Sequence, residues 1–237
     1  MANTVTSITT KPQTDTELGL LRLLQLVSPA LPVGAYAYSQ GMEYAVEDRW
    51  LKNETEIHDW VIGLLRYSQT FLDVPVLARL YRAWENNNNP GIDYWTAYLY
   101  ASREAKELQQ EDYHLGTALA RLLADLDVQP AQAWTQPNKC CFATVFALAC
   151  VHWQIKLEQA AIGYLWSWSE NQVAAATKVV PLGQTAAQRI LSAVMPEIRS
   201  AATRGLALTD DEIGSSAVGL GIASALHETQ YSRLFRS

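Results

Sequence analysis

The sequence predicts an all-α protein, a single-domain multi-helix bundle of about ten helices joined by short loops. Three observations carry this. Apolar residues recur at helical period in one segment after another, Val, Ile and Thr nowhere alternate as half-buried strands require, and the breaks between segments are short. Of the 237 residues 49% are apolar and 18% charged, enough to enclose a sizeable core.

Residues 1–15 are rich in Thr and Ser and lack periodicity, so they read as a flexible N-terminal segment ahead of a helical domain at 16–237. From Thr16, Leu20, Leu23, Leu24 and Val27 form one stripe and Leu18, Leu21 and Leu26 fill the other side, which predicts an enclosed helix. Pro29 and Pro32 end it, and Ser39 is placed to cap a second helix with Met42 at its third position. Asn53 and Glu56 have capping-box spacing ahead of the stripe Ile57, Trp60, Val61, Leu64 and Leu65. NNNNPG (86–91) is a surface loop, followed by helices over Trp95–Leu108 and around Leu115, Ala118, Leu119 and Leu122. QPAQAWTQPN (129–138) is a second loop, then a very apolar helix covers about 140–157 and a Trp-rich one runs into the 170s. VVPLGQ (179–184) is a joint, a helix follows from Gln184 to Met195 with Pro196 as its stop, and the last helix lies between Asp210 and the end of the chain.

Several function classes are excluded or weakened. A net charge of −6 without a clustered basic face argues against nucleic acid. The longest apolar run, 140–151, falls short of the roughly 20 residues that span a bilayer, and 1–17 contain no apolar core of a secretory signal, so a cytoplasmic protein without a membrane role is expected. Three cysteines, Cys140, Cys141 and Cys150, read as buried reduced thiols. Of the four histidines only His114 has a Glu three residues before it (Glu111), so the paired motif of a di-iron helical bundle is incomplete, and no His-x-x-x-His or Cys-x-x-Cys occurs. GLGIAS (219–224) follows no strand and reads as small residues that let helices approach. Glu43/Glu47 and Glu104/Glu107 read as solvated helix faces, Arg103 and Glu107 as an i,i+4 pair, and Asp210–Glu212 as acids at a helix start.

Four stretches carry a resemblance. SPALPVGAYAYSQGMEYAVE (28–47), SREAKEL (102–108), KVVPLGQTAAQ (178–188) and HETQYSRLFRS (227–237) together resemble the urease accessory protein family UreF, over about residue 18 to the end of the chain. Ala37 stands where that pattern usually has Ser or Thr, and Ala105 where it usually has Thr. The resemblance implies a helical, non-enzymatic adaptor without a cofactor of its own. It also implies that the adaptor dimerises, binds UreD (also called UreH), and recruits the nickel-carrying GTPase UreG to deliver nickel to apo-urease.

Residue roles follow at two places. By composition 227–237 is a frayed basic helix end; the resemblance assigns His227, Glu228, Tyr231, Arg233, Leu234, Phe235 and Arg236 to UreD binding. In KVVPLGQ, Pro181 ends one helix and Gly183 is expected to relieve strain. Lys178, Pro181, Leu182, Gly183 and Gln184, with Tyr36, Tyr38 and Gln40 as alternating rings and polar tips, are assigned to a UreG-binding or docking surface. The alternative class is a helical enzyme with a pocket around Glu104, Glu111 and His114, and a weaker one is direct nickel binding through His and Cys. The Trp-rich 153–168 and the small-residue 213–225 are candidate dimer surfaces.

Overall fold

A helix written FATVFALAC has no polar face and must be enclosed on every side. The computed structural model, which describes residues 16–136, 140–214 and 217–237, encloses it. The expected flexible segment 1–15 lies outside the described residues, as do positions 137 and 138 of the second loop and 215 and 216 ahead of the last helix.

Ten α-helices occur among the described residues, and no strand. They are α1 (Thr16–Leu26), α2 (Met42–Glu47), α3 (Glu54–Leu64), α4 (Asp73–Glu85), α5 (Asn89–Ala101), α6 (Lys106–Asp125), α7 (Phe142–His152), α8 (Leu157–Val179), α9 (Gln184–Ala207) and α10 (Val218–His227). Short 3₁₀ turns lie at Ala35–Ala37, Gln129–Trp134 and Asp210–Glu212. The core runs from Leu26 in α1 to Ala223 in α10. At its centre α4, with Val74, Val76, Leu77 and Leu80 fully buried, touches α5, α7, α8 and α9. The long α8 and α9 pack side by side, and α10 rests on α2 and α6. No described helix is long and apolar enough to cross a membrane.

Local chemistry fixes several boundaries. Asn53 Oδ1 accepts from Glu56 N at 3.1 Å, while the Glu56 carboxylate reaches back to Lys52 N at 2.6 Å, one residue beyond the usual capping box. Asn88 caps α5, with Pro90 in its first turn. α3 runs without interruption into a π-helical turn, Leu65–Gln69, closed by Thr70 N–H to Leu65 O at 3.1 Å.

The structure corrects five expectations. α1 is not enclosed: Leu18, Leu20, Leu21 and Leu24 are exposed and only its far end is buried, since α8 covers one side alone. Pro196 does not stop α9, which continues to Ala207; Ser192 and Pro196 both lie on the exposed face, where water can take the carbonyl that proline leaves unpaired. α2 begins at Met42 rather than beside Ser39. Arg103 precedes α6 and turns inward, so it does not pair with Glu107. Gly183 has φ −73°, open to any residue, and relieves no strain.

Candidate functional site: a polar latch joining two distant segments

The joint after α1 places its side chains through three left-handed residues. Gly34 (φ 82°) starts the turn at Ala35–Ala37, and Gln40 (φ 53°) and Gly41 (φ 73°) reverse the chain into α2. Gly41 is also a close approach: a Cβ there would lie 2.7 Å from Ser224 N of α10, so the small residues 221–224 do serve helix contact. Ser39 is fully buried; its hydroxyl accepts from Glu43 N (3.3 Å) and donates to Ser237 O (2.7 Å).

That last bond belongs to a larger arrangement. The segment 228–237 is not a frayed helix end: past α10 it folds back across α2 and α6. Glu43 receives it, with Oε1 accepting from Leu234 N (2.6 Å) and Oε2 from Phe235 N (2.9 Å). Arg236 N donates to Ala37 O, and Ser39 N to Ser237 O at 2.6 Å. His227, fully buried, has Nδ1 2.7 Å from Glu107 Oε2 and Nε2 3.2 Å from Glu43 Oε2, while Arg233 Nη1 donates to Glu107 Oε1 at 2.5 Å. Glu228 accepts from the Glu107 amide, and Gln230 donates to Glu47. Glu43, Glu47 and Glu107 are thus partners of this segment rather than solvated faces, and His227 is buried between Glu43 and Glu107.

Deeper in, Glu111 accepts from Gln40 Nε2 (2.8 Å) and from Ser237 Oγ (2.7 Å). Burial pushes its carboxyl up to about 7, against the two hydrogen bonds that favour the ionised form. Gln40 Oε1 accepts from Trp168 Nε1 of α8 at 2.8 Å. Behind them, Arg103 donates to Asp73 Oδ1 (2.6 Å) and Asp112 Oδ2 (3.0 Å), and Tyr164 O–H donates to Asp73. Burial works against the Arg103 charge, but these two carboxylates hold it protonated, above the usual arginine range.

The two sets of residues assigned from sequence to different partners therefore meet in one place. Tyr38 (4% exposed) and Gln40 turn inward and do not form the alternating surface expected of them; only Tyr36, 71% exposed, does. Burial raises the Tyr38 hydroxyl, which reaches His114 Nδ1 at 3.0 Å. Lys178 bonds Tyr36 O and stands over the rings of both Tyr36 and Phe235, so it bridges the joint and the folded-back segment. Pro181, Gly183 and Gln184 are exposed beyond it, with Leu182 packed against the core. Tyr231 and Leu234 point outward (103% and 63% exposed). Of the enzyme alternative, Glu111 is buried under the latch, His114 bonds Tyr38, and Glu104 lies against Gly221, so the three are engaged with separate neighbours. The described residues contain no cluster of three metal-ligating side chains. All three cysteines are buried and free, with burial pushing Cys140 up to about 12, so none is a ready nucleophile. Asp210 pairs with Arg79, and Glu212 closes a capping box with Thr209.

Fold and site together define an all-helical protein whose most elaborate polar feature secures its own last ten residues beside an exposed apolar helix face. Its relatives narrow that class. The family model UreF matches residues 51–195. The urease accessory protein UreF of Alkalilimnicola ehrlichii is 52% identical over 226 residues, covering 94% of this chain and 99% of the relative. Those of Hahella chejuensis and Psychrobacter cryohalolentis are 48% and 47% identical, covering 93% of this chain and 99% and 95% of the relatives. The chain belongs to the UreF family of urease accessory proteins.

Proposed function

We propose that the chain is a non-enzymatic adaptor of urease maturation that joins UreD (UreH) to the GTPase UreG in the complex delivering nickel to apo-urease, acting as a homodimer in the cytoplasm. One observation supports this above the others. Val218, Ile222 and Leu226, spaced i, i+4, i+8, form an exposed apolar stripe on α10, and the exposed Tyr231 and Leu234 follow on the segment secured by the latch. An exposed aliphatic and aromatic strip rimmed by Arg233 and Glu228 has the composition of a protein interface. UreD is the partner assigned to it, and the Lys178–Gln184 surface is assigned to UreG.

The test is co-purification. Ile222→Asp and Leu234→Asp alter only exposed side chains, so circular dichroism and thermal midpoint should stay near wild type. Recovery on immobilised UreD should fall at least ten-fold. Full recovery with both variants would remove this strip from the interface. Because Lys178 also touches Phe235, its reversal to Glu disturbs both assigned surfaces; Gln184→Glu, at an exposed joint, is the cleaner probe of UreG recruitment.

A further inference from the structure

The ring of His227 is fully buried, with Nδ1 2.7 Å from Glu107 Oε2 and Nε2 3.2 Å from Glu43 Oε2. A neutral imidazole has one N–H and one bare nitrogen, and an ionised carboxylate only accepts. Two acceptors on the two nitrogens therefore require one proton more than a neutral ring and two carboxylates hold. The carboxylates have no place for it: Glu43 accepts the Leu234 and Phe235 amides on its two oxygens, and Glu107 accepts Arg233 on its other oxygen. All four oxygens are engaged as acceptors, so the extra proton belongs on the ring.

The charges give the same answer. Glu43 and Glu107 bring two negative charges and Arg233 one positive, so a neutral ring leaves one negative charge over and an imidazolium balances it. The neighbouring groups do not supply that balance. Glu104 of α6 lies against Gly221, Glu47 of α2 takes Gln230, and Glu228 accepts from the Glu107 amide, all three being acids. Of the cations, Lys106 of α6 is exposed, Arg236 is turned to Tyr38, and Lys178 of α8 stands over the Phe235 ring. Glu111, one turn further along α6, meets the same segment through Ser237. The carboxylates that flank the ring are also those that hold 228–237, so this one proton ties α2, α6 and α10 to the segment. Its loss sets a bare nitrogen against a carboxylate and leaves the buried charge unbalanced.

We propose that His227 is an imidazolium in the closed latch and that its deprotonation releases 228–237 from α2 and α6, a proton-operated switch on the strip that carries Tyr231 and Leu234. The closed form binds the extra proton, and histidine is the side chain whose charge change falls nearest neutrality, so the latch loosens as pH rises. The inference concerns the chain alone and stands whether or not the strip binds UreD. The experiment uses the full chain carrying Glu111→Gln, which removes the nearby carboxyl that burial raises to about 7. Proton–nitrogen correlation spectra of the His227 ring, and of the Leu234 and Phe235 amides, are followed from about pH 6 to about pH 9.5, across the imidazole range. At the acid end both ring nitrogens should carry protons; with rising pH the ring and both amides should change with one midpoint. One bare nitrogen while both amides stay bonded, a ring that titrates without the amides, or no change over the range overturns the proposal. Glu107→Gln is the control. Its amide can donate to a bare Nδ1 and accept from Arg233, so a neutral ring then satisfies both neighbours and the charges balance. With circular dichroism unchanged, the segment should stay seated throughout, its amide shifts moving at least three-fold less than with Glu107. A segment released at every pH, or an unaltered pH dependence, in this variant overturns the proposal as well.

Discussion

Glu111 takes two hydrogen bonds, from Gln40 Nε2 and Ser237 Oγ, at a depth where an ionised carboxyl is costly. Burial raises it from 4.5 to about 7 in the folded protein. Its contribution to stability is therefore fully present below about pH 4.5 and is lost as pH rises through 7, the reverse of an acid held low by a salt bridge. Glu111→Gln removes the titration and keeps an amide able to accept from Gln40 and donate to Ser237. Relative to wild type, its unfolding free energy should improve by about 3 kcal/mol between pH 4.5 and pH 8, measured by urea denaturation at both values. A difference independent of pH would contradict the assignment. None of this is visible in the sequence. Glu43, Glu47, Glu107 and Glu111 have the helical spacing of solvated acids, and spacing cannot report that their partners lie between 71 and 192 residues away. Arg103 misled for a related reason: four residues from Glu107, it starts before the helix does, and the buried Asp73 and Asp112 take it instead.

Elements were more legible than residues, because periodicity reports burial wherever a helix has one covered side. α3 and α6 lie close to where their stripes place them, α7 falls within the expected 140–157, and Asn53 caps as its type predicts. Failures came where a local signal was outweighed. Pro196 costs a single bond on a solvated face, within a helix held by Ile190, Val194, Ile198 and Ala202 against the core. The π-helical turn at Leu65–Gln69 has an ordinary composition, so nothing in LRYSQ announces it. The contact between α2 and α10 rests on Gly41, which combines a left-handed backbone with no room for a side chain. Gly41→Ala should lower stability by about 2 kcal/mol or more, seen as a shift in denaturant midpoint, with the slope unchanged. A cost of a few tenths would mean that α10 moves away freely.

At the scale of the molecule the bundle divides by the chemistry that holds it. α4 and α7 are sealed by close apolar packing, whereas 228–237 is attached through carboxylates, backbone amides and the one buried ring of Phe235. Hydrogen exchange should be slowest in α4 and α7, near the global unfolding limit, and faster in a unit comprising the second half of α10 and the last residues. Glu43→Ala should release that unit, accelerating exchange at Leu234 and Phe235 at least ten-fold and leaving α7 unchanged; equal acceleration throughout would mean that the latch and core unfold together. The all-α class followed from patterning and the family resemblance from four short stretches. The latch is a property of the closed chain alone: two of those stretches, 28–47 and 227–237, form one structure because the fold brings them together.

An end that is already seated changes the kinetics expected of any encounter through it. A segment that must condense on its target loses configurational freedom at that moment and shows a large negative heat-capacity change for a small footprint. Here the ordering has been completed inside the chain by Glu43, Glu107 and Ser39, and Tyr231 and Leu234 face outward at fixed positions. Association through them should behave as rigid-body docking, with a rate limited by orientation and little rearrangement after contact.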